Sequence, residues 1–341
     1  MRVLVAGHRG YIGAVLVPML ERAGYDVVGL DSELYEGCDF GEVADAPTSI
    51  VRDIRDVEAA DLDGIDAVVC LAALSNDPLG DLDPEVTDGI NHLGTASFAQ
   101  AAKRAGVGRF VFSSSCSLYG AAGDEPLDEG AVLRPVTPYG TAKVRAEEAL
   151  SRLADTTFCV TSLRNATAYG VSPRLRGDLV VNNLTGYAVT TGEVLLKSDG
   201  RPWRPLVHVE DIARAFVSVL EAPTEVVADQ AFNVGLTEEN YRIRDVAEIV
   251  REVVPDSRVT FAADAGPDVR NYRVNFDKFT EAIPSFRPSW TVRAGVEQLY
   301  EAFVAHGLTE EEFLGPRYSR VTTVVDRQER GELDGSLRST A

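Results

Sequence analysis

The sequence predicts an α/β protein built on a doubly wound parallel sheet, with a smaller C-terminal lobe interwoven with it. Short apolar runs rich in Val and Leu alternate with stretches of helical periodicity over the first 120 residues. The apolar runs show no polar alternation, which is typical of parallel strands that are buried on both faces. Strand–helix–strand alternation at this spacing builds a sheet with helices on both sides.

The predicted elements follow in chain order. The buried strands of the first part are Val3–Ala6, Val27–Leu30, Ala67–Leu71, Arg109–Ser113 and Phe158–Leu163. The helices between them are Ile12–Ala23, Val57–Leu62, Gly89–Ala105 and Pro138–Leu153. Segment 171–205 is rich in Pro, Gly, Arg and Asn, which indicates an irregular, ligand-handling region. Beyond it we expect helices at Ile212–Leu220 and Asp245–Val253, and a strand at Ala231–Val234.

These elements predict two lobes and a tail. We expect the first lobe to span residues 1–165 and to include about 206–235. The second lobe is then formed by residues 166–205 and 236–314. Residues 315–341 are polar, and we expect them to form an arm or to be partly disordered.

The composition argues against several classes of function. The chain has 341 residues, enough for one large α/β core with a smaller lobe. Its formal net charge of -20 disfavours nucleic acid and anionic membranes, which are bound by clustered Lys and Arg. A phosphate-bearing ligand therefore needs local arginines and helix N-termini. No apolar run approaches the ~18 residues of a transmembrane helix, and the N-terminus is typical of a strand, not of a signal peptide.

The positions of cysteine and histidine argue against a metal site. No Cys-x-x-Cys pair occurs, which disfavours a disulfide framework and structural zinc and favours a reducing cytoplasm. The scattered cysteines are Cys38, Cys70, Cys116 and Cys159. The histidines are equally dispersed, at His8, His92, His208 and His306.

A glycine-rich loop directly follows the first predicted strand and opens the first predicted helix. Glycines permit a tight turn and close approach of the backbone to a pyrophosphate, while the helix N-terminus offers free N–H groups. The loop therefore predicts a dinucleotide site. Its residues are Gly7, Arg9, Gly10, Tyr11, Ile12 and Gly13, with His8 between them.

Acidic residues after the next strands predict which dinucleotide binds. Asp31 closes the second strand, 18 residues after Gly13, where a carboxylate reaches the adenosine ribose hydroxyls of NAD. Arg9 could pair with the 2′-phosphate of NADP, but the Asp31 carboxylate would repel that phosphate, so we favour NAD. Asp53 and Ile54 lie along the adenine edge or belong to an ordinary loop, and both interpretations stay open.

A tyrosine and a lysine four residues apart, Tyr139 and Lys143, lie on one face of a predicted helix. An ammonium beside a phenol stabilises the phenolate and lowers the tyrosine pKa, which makes the phenol a proton carrier. The same spacing also occurs on ordinary solvated helix faces. A serine-rich strand end, Ser113–Ser115, supplies hydroxyls at the edge of a parallel sheet where ligands bind, although serines also form turns.

In combination, these motifs resemble the extended short-chain dehydrogenases/reductases, in particular the nucleotide-sugar epimerase/dehydratase group. The resemblance covers roughly residues 1 to 300 and implies a Rossmann-type fold, bound NAD and a nucleotide-sugar substrate. Its further pieces are Leu71-Ala72-Ala73, Asn91, Ser115 before Tyr119-Gly120, Asn182-Asn183-Leu184, Arg204 and Arg270.

The resemblance also implies roles for individual residues. Ser115, Tyr139 and Lys143 are implied as the catalytic set: Tyr139 takes a proton from a sugar hydroxyl, Ser115 hydrogen-bonds the same oxygen, and Lys143 holds the nicotinamide ribose. Leu71, Ala72 and Ala73 are implied as cofactor contacts. The implied substrate contacts are Ser75, Ser115, Asn165, Thr167, Asn183, Arg204 and Arg270, the two arginines as clamps on the diphosphate.

The chain departs from the family pattern at two places. Thr167 occupies the position of the family's asparagine while Asn165 lies two residues earlier, so either could contact the substrate. Cys116 and Ser117 stand where 4,6-dehydratases carry Asp-Glu, which argues against elimination of water and for epimerisation. Related 3,5-epimerases use a cysteine in this loop, so Cys116 and Ser117 are candidate auxiliary residues, with packing the favoured role of Cys116.

We therefore expect an NAD-dependent nucleotide-sugar epimerase that acts at C4 through a transient 4-keto sugar. The alternatives are a dehydratase or 4-ketoreductase of the same group, or a catalytically silent Rossmann protein that senses NAD. The family usually dimerises through the two helices represented here by Gly89–Ala105 and Pro138–Leu153, which implies a homodimer.

Overall fold

A seven-stranded parallel sheet forms the centre of the protein. The computed structural model describes residues 1–41, 47–75, 77–266 and 270–340. The strands are β1 (Arg2–Ala6), β2 (Asp26–Asp31), β3 (Ser49–Val51), β4 (Ala67–Cys70), β5 (Arg109–Ser115), β6 (Ala121–Leu127), β7 (Cys159–Asn165), β8 (Thr167–Tyr169), β9 (Glu193–Ser198), β10 (Trp203–His208), β11 (Gln230–Val234), β12 (Asn240–Arg242), β13 (Arg258–Gly266) and β14 (Asn271–Val274).

Helices cover the sheet and build the rest of the molecule. They are α1 (Gly13–Arg22), α2 (Asp77–Leu82), α3 (Pro84–Asp88), α4 (Thr95–Arg104), α5 (Pro138–Ser151), α6 (Val180–Thr191), α7 (Val209–Glu221), α8 (Thr224–Val227), α9 (Ile243–Val253), α10 (Asp277–Ala282), α11 (Val292–His306), α12 (Glu310–Leu314) and α13 (Arg320–Glu329). None of the helices in the described part of the chain is both long and apolar enough to cross a membrane.

The strand order of the large sheet is β3-β2-β1-β4-β5-β7-β11, which confirms the predicted doubly wound arrangement. Val3 and Val5 of β1 belong to the core on one face, whereas Leu4 and Ala6 belong to the core on the other. Successive strand residues point to opposite faces, so a strand covered on both sides must be apolar throughout. The chain reverses direction across the sheet between β1 and β4, and ligands bind beyond the carboxyl ends of strands at such a reversal.

The second lobe has its own small sheets and its own core. A three-stranded sheet has the order β12-β10-β8, and β13 pairs with β9. Helices α6, α9 and α11 pack around a third apolar cluster that contains Leu184, Val246 and Val296. This lobe lies beyond the carboxyl edge of the large sheet, because β8 directly follows β7.

Segment 171–205 differs from its prediction, because it contains α6 and β9 and is not irregular throughout. Val181, Leu184 and Ala188 recur at helical spacing and are buried in the second lobe. Most of the glycines and prolines that suggested a loop flank these elements. Gly192, for example, ends α6 in the left-handed conformation at φ +72°, which glycine adopts without strain.

Two predicted helices also differ in detail. Residues Ala59–Leu62 form a short 3-10 turn where a helix over Val57–Leu62 was expected. Glu58 and Asp61 exchange hydrogen bonds that close the turn. Residues Gly89–Gly94 form a π-helical segment that leads into α4, so the predicted helix over Gly89–Ala105 is continuous but locally wider.

The C-terminal segment is folded, in contrast to the expectation of an arm or a partly disordered tail. Helix α13 buries Val324 in the core on one face of the large sheet, together with residues of β4 and α4. Arg327 donates to the carbonyl oxygens of Glu33 (3.0 Å) and Leu34 (2.8 Å) in the loop after β2. A mostly polar stretch can dock in this way because a single apolar stripe is sufficient to bury one helix face.

Candidate active site

A cavity of about 1100 Å³ lies between the carboxyl edge of the large sheet and the second lobe. Among the residues to which the sequence assigned a catalytic, auxiliary, cofactor or substrate role, Cys116 does not line it. Those that do are Gly7, Arg9, Gly10, Tyr11, Ile12, Gly13, Asp31, Asp53, Ile54, Leu71, Ala72, Ala73, Ser75, Ser115, Ser117, Tyr139, Lys143, Asn165, Thr167, Asn183, Arg204 and Arg270.

The glycine-rich loop connects β1 to α1 and lies against the loop after β4. Gly7 has φ +85°, and a Cβ atom added there would come within 2.8 Å of the Ala72 backbone nitrogen. A Cβ atom on Gly13 would come within 2.2 Å of the Gly7 carbonyl oxygen. Side chains at these two positions would therefore push the two loops apart. Their absence leaves backbone, and no bulky side chain, facing the cavity at the start of α1.

Asp31 organises the loop after β2. Its carboxylate accepts hydrogen bonds from the backbone N–H groups of Arg9 (3.0 Å) and Glu33 (2.9 Å). The Arg9 guanidinium forms an ion pair with Glu33. Two carboxylates therefore border this end of the cavity, and the arginine that could have bound a 2′-phosphate is already neutralised.

Asp53 and Ile54 also reach the cavity. Asp53 caps the 3-10 turn Ile54–Asp56 by accepting from the Arg55 N–H at 2.8 Å. The Arg55 guanidinium binds the same carboxylate, with a shortest distance of 2.6 Å. Asp53 thus has a structural role in this turn, and contact of the pair with an adenine edge stays a prediction.

Ser115, Tyr139 and Lys143 meet at the end of β5. The Ser115 hydroxyl is close enough to the Tyr139 phenol to lower the pKa of the phenol, and the Ser117 hydroxyl lies 2.6 Å from that of Ser115. The Lys143 ammonium donates to the Ser113 carbonyl oxygen at 2.7 Å and lies 5.7 Å from the centre of the Tyr139 ring. The tyrosine and the lysine thus face the strand end together, as their four-residue spacing predicts.

Burial is the largest cause of the pKa shifts of Tyr139 and Lys143. It raises the pKa of Tyr139 to about 12, against the opposing effect of the Ser115 hydrogen bond. It lowers the pKa of Lys143 to about 8. The net pKa shift of the phenol is therefore upward, because desolvation of the phenolate outweighs the effects that lower its pKa. That Lys143 lowers this pKa stays a prediction. The phenol is protonated at neutral pH and needs further positive charge to ionise.

Cys116 lies outside the cavity, which corrects its assignment as an auxiliary residue. The side chain is fully buried in the core, and its thiol donates to the Arg164 carbonyl oxygen at 3.1 Å. Burial raises the pKa of the Cys116 thiol well above its ordinary value, so the reactive thiolate is disfavoured. Ser117, the next residue, does line the cavity.

Arg204 and Arg270 converge on the side of the cavity away from the glycine-rich loop. Arg204 is 6% exposed, donates to the carbonyl oxygens of Trp203 (2.9 Å) and Arg270, and lies 5.7 Å from the centre of the Tyr272 ring. The Arg270 guanidinium is 2.6 Å from the Asp77 carboxylate. Two guanidinium groups at one end of the cavity suit a ligand with a diphosphate.

The other predicted substrate contacts differ in their burial and in their hydrogen bonds. Asn165 is buried and donates to the Ser113 hydroxyl at 3.0 Å, whereas Thr167 is half-buried. Asn183 donates to the Gly177 carbonyl oxygen at 2.8 Å. Ser75 accepts from Arg176 at 3.0 Å through its hydroxyl oxygen. Because Thr167 is less enclosed than Asn165, it is the more accessible of the two to a ligand.

Several cavity-lining residues were not found from the sequence. Asp77 belongs to no motif, and Arg320 lies in the polar C-terminal stretch that was expected to lie apart from the site. Arg174 and Arg176 fall in the segment that was described as ligand-handling, but no spacing distinguished them. A pattern search responds to residues that are close in sequence, whereas these side chains meet only through the fold. They line the cavity together with Tyr35 and Tyr272.

No three His, Cys, Asp or Glu side chains form a possible metal site in the part of the chain that the structure describes.

Comparison with known proteins finds similar chains over most of this length. Residues 3–235 match the model of the NAD dependent epimerase/dehydratase family. The UDP-glucose 4-epimerase of Mycolicibacterium smegmatis is 29% identical over 315 residues, which cover 89% of this chain and 98% of the relative.

Solved structures give a consistent result. MoeE5 in complex with UDP-glucose and NAD matches with a TM-score of 0.75 and 28% identity, over 89% of this chain and 99% of that one. A double mutant of DesIV, a dTDP-glucose 4,6-dehydratase from Streptomyces venezuelae with NAD and DAU bound, matches with a TM-score of 0.78 and 25% identity, over 92% of this chain and 100% of that one. The similar proteins thus include an epimerase and a dehydratase.

Proposed function

The chain belongs to the NAD-dependent epimerase/dehydratase family, and we propose that it is a nucleotide-sugar epimerase that inverts C4 of its substrate. The observation that carries this proposal is that Ser115, Tyr139 and Lys143 line one cavity, in which Cys116 and Ser117 follow the catalytic hydroxyl in sequence. These groups serve reversible oxidation of an alcohol. The positions that supply acids for elimination in dehydratases carry no carboxylate here.

The residues of the first lobe fit NAD. The backbone of the glycine-rich loop is open to a pyrophosphate because a Cβ atom at Gly7 or Gly13 would clash with the neighbouring backbone. In this proposal Asp31 would accept from a ribose hydroxyl of NAD, and Lys143 would hold the nicotinamide ribose. When bound, NAD⁺ supplies the hydride acceptor and a positive charge near Tyr139.

Tyr139 acts as the proton carrier in this proposal. Its phenol takes the proton from the C4 hydroxyl of the sugar and later returns it, while the Ser115 hydroxyl donates to the same oxygen as it becomes a carbonyl. Burial holds the pKa of Tyr139 at about 12, so the phenolate forms only when positive charge is added beside it. Lys143, whose pKa burial lowers to about 8, supplies part of that charge.

Arg204 and Arg270 bind the diphosphate of the substrate, with Asn183 and Thr167 at the same cavity wall. The two arginines come from β10 and from the start of β14, so the second lobe, which we assign to residues 166–205 and 236–314, holds the nucleotide sugar. Arg270 is paired with Asp77 at 2.6 Å in the structure, and a diphosphate would compete for the same guanidinium.

A dehydratase is the second candidate function, and Asp77 is the observation that favours it. This carboxylate lines the cavity near Tyr139 and could act as an acid or base. It already accepts from the Thr137 hydroxyl (2.7 Å) and pairs with Arg270. Because both of its oxygens are bound, we favour epimerisation.

Two copies of the chain associate in this proposal through the helices that the family uses. The π-helical segment Gly89–Gly94 packs on α5, and Leu93 within it is 58% exposed. An exposed leucine on a helical pair suits an interface between identical copies. Light scattering after gel filtration should give the mass of a dimer, and the mass of a monomer at micromolar concentration would contradict this part.

The reaction is tested by product analysis. Purified protein is incubated with a panel of nucleotide sugars, with and without added NADH, and the products are identified by NMR. We expect the same equilibrium mixture of the two C4 epimers, whichever epimer is supplied as the substrate. A stable 4-keto-6-deoxy product would identify a dehydratase, and stoichiometric consumption of added NADH would identify a reductase.

A further inference from the structure

Three buried arginines, Arg174, Arg176 and Arg320, line the cavity in addition to Arg204 and Arg270. They are 6%, 5% and 2% exposed, respectively. Arg174 and Arg176 precede α6, whereas Arg320 is the first residue of α13. The three side chains therefore come from two separate parts of the chain, and the last lies beyond the segment that matches the family model.

Their charges are not equally compensated. Arg176 forms a two-point ion pair with Asp178 at 2.9 and 3.1 Å, and Arg174 Nη1 lies 3.0 Å from an Asp39 carboxylate oxygen. Arg320 donates from Nη2 to the Arg174 carbonyl oxygen at 3.3 Å, and no ion pair joins it to any residue that the structure describes. Its Nη1 and the Nε of Arg174 are buried without a hydrogen-bond partner among these residues.

A buried cation without a counter-ion is unfavourable, because desolvation is not repaid by attraction. Burial accordingly lowers the pKa of Arg320 from its ordinary value. Unpaired N–H groups that border a cavity are satisfied when a ligand supplies acceptors. A guanidinium and a neighbouring Nε call for an anion with several oxygen atoms.

The residues around the arginine cluster (Arg174, Arg176 and Arg320) indicate which anion it would bind. The Arg320 guanidinium lies 4.2 Å from the centre of the Tyr35 ring, and the Tyr35 carbonyl oxygen accepts from Arg174 at 3.0 Å. Tyr35 follows Asp31 by four residues. Arg176 donates to the carbonyl and hydroxyl oxygens of Ser75, both at 3.0 Å, in the loop after β4.

A further contact ties the cluster to the glycine-rich loop. The Ser172 hydroxyl donates to the Tyr11 carbonyl oxygen at 2.8 Å and accepts from the Arg174 N–H at 3.1 Å. The cluster therefore faces the crevice between the loops after β1 and β4, where a Rossmann-type sheet holds the diphosphate of a dinucleotide. The glycine-rich loop itself offers this diphosphate backbone N–H groups, and the arginines add charge from the opposite side.

We propose that Arg320, with Arg174 and Arg176 beside it, binds the diphosphate of NAD, so that the C-terminal segment closes the cofactor cavity. Further hydrogen bonds hold the C-terminal segment against the first lobe. Arg327 binds two carbonyl oxygens of the loop after β2, and Arg55 donates to the Ser336 carbonyl oxygen at 2.9 Å. An enzyme that returns the hydride it removes benefits from a cofactor that does not leave between the two transfers.

The test compares Arg320→Met and Arg320→Lys with Arg330→Met, a matched control at the exposed residue that directly follows α13. The ratio of NAD to protein is measured in each purified variant. The NAD-stripped proteins are then titrated with ADP-ribose, which carries the cofactor diphosphate, and with UDP, which carries the other diphosphate. Unfolding temperatures are recorded for the stripped proteins, and none of these readouts requires turnover.

We expect Arg320→Met to bind ADP-ribose roughly 10- to 100-fold more weakly than the unaltered protein, with UDP affinity within about twofold. Arg320→Lys should recover part of the loss, and Arg330→Met should bind normally. The stripped Arg320→Met protein should unfold at the same or a higher temperature, because a buried unpaired charge is removed.

Three outcomes would overturn the proposal. Unchanged ADP-ribose affinity in both Arg320 variants would exclude the contact. A loss of UDP affinity in place of ADP-ribose affinity would assign the cluster to the substrate. Equal losses in Arg320→Met and Arg330→Met would show that packing of α13, and not the guanidinium, is responsible. If Arg320→Met does not fold, the affinities of Arg320→Lys for ADP-ribose and UDP are compared with those of the unaltered protein instead.

Discussion

The chemistry proposed for this protein depends on how two side chains, Tyr139 and Lys143, are held. Both are buried, and their ordinary acidities are shifted in opposite directions: the pKa of the phenol rises to about 12 and that of the ammonium falls to about 8. Burial thus shifts each group toward its neutral form, but Lys143, with a pKa of about 8, remains mostly protonated at pH 7. A ligand that brings positive charge into the cavity reverses this preference for the tyrosine, which couples proton transfer to cofactor binding.

Replacing Tyr139 with Phe tests the proton carrier. We expect kcat to fall by roughly 10²- to 10⁴-fold, because the proton of the sugar hydroxyl has no acceptor. NAD content should stay near that of the unaltered protein, since the ring remains in place. Tyr300→Phe, a matched change outside the cavity, should leave kcat unchanged, and equal activity in both variants would exclude Tyr139 as the carrier.

The buried lysine predicts a pH-dependent stability. Its pKa falls from 10.5 to about 8 on folding, so between these values the unfolded chain binds the proton that the folded protein has released. The free energy of unfolding therefore rises with pH across this window. In Lys143→Met that rise should be smaller by up to about 3 kcal/mol.

Urea unfolding of the NAD-stripped proteins at a series of pH values between 8 and 10.5 measures this difference. Lys278→Met, which alters a lysine on the surface side of Phe232, is the control and should keep the slope of the unaltered protein. Parallel profiles for Lys143→Met and the unaltered protein would show that the ammonium is not destabilised by burial.

Residue-level prediction from the sequence succeeded for side chains that belong to short motifs. Ser115, Tyr139 and the glycine-rich loop all line the cavity because each motif positions its own residues locally. Cys116 was ambiguous because neighbouring residues in this loop point in different directions, one into the core and the next into the cavity. Arg320 could not be found, since its place in the wall depends on how α13 docks, about 300 residues from the glycine-rich loop.

At the scale of single elements, the start of α5 controls the catalytic geometry. Thr137 caps this helix by accepting from the Gly140 N–H at 3.1 Å, and its hydroxyl donates to Asp77 at 2.7 Å. Tyr139 lies in the first turn, directly after Pro138. The cap thus links α5 to the start of α2, and we expect it to fix the position of the Tyr139 phenol relative to Ser115.

Removal of this cap should affect both stability and turnover. Thr137→Ala should lower the free energy of unfolding by about 1 kcal/mol and lower kcat by at least ~10-fold, because small displacements of reacting groups are costly. Thr291→Ala removes the corresponding cap of α11, where Thr291 accepts from Ala294 at 3.3 Å.

The two variants are compared by denaturant unfolding and by steady-state kinetics. The Thr291 variant should show a similar loss of stability with unchanged kcat. If the two variants lose kcat equally, the Thr137 cap does not position Tyr139 in particular, and general destabilisation explains the loss.

The elements of the large sheet were largely predictable because strands buried on both faces are apolar throughout. Segment 171–205 was not, because its glycines and prolines indicated a loop although the residues between them form α6 and β9. Gly186 shows why: it lies within α6, where a Cβ atom would come within 2.2 Å of the Phe313 ring. Its presence reflects close packing against α12, which the local sequence does not reveal.

At the scale of the whole molecule, our proposals give the cavity two anion-binding regions. Arg204 and Arg270 lie at the end formed by the second lobe, and the arginine cluster around Arg320 faces the glycine-rich loop. A chain with a net charge of -20 attracts a phosphate-bearing ligand only where arginines are gathered. This division assigns one diphosphate to the substrate and one to the cofactor, with Tyr139 and Ser115 near the place where the two ligands would meet.

The central claim is that one hydride leaves C4 of the sugar and returns to the same carbon. A nucleotide sugar deuterated at C4 is incubated with the protein in ordinary water, and both epimers are examined by NMR. The account predicts that the product epimer retains deuterium at C4 and that the label does not exchange with solvent. Loss of the label to water, or accumulation of a 4-keto-6-deoxy sugar, would contradict it.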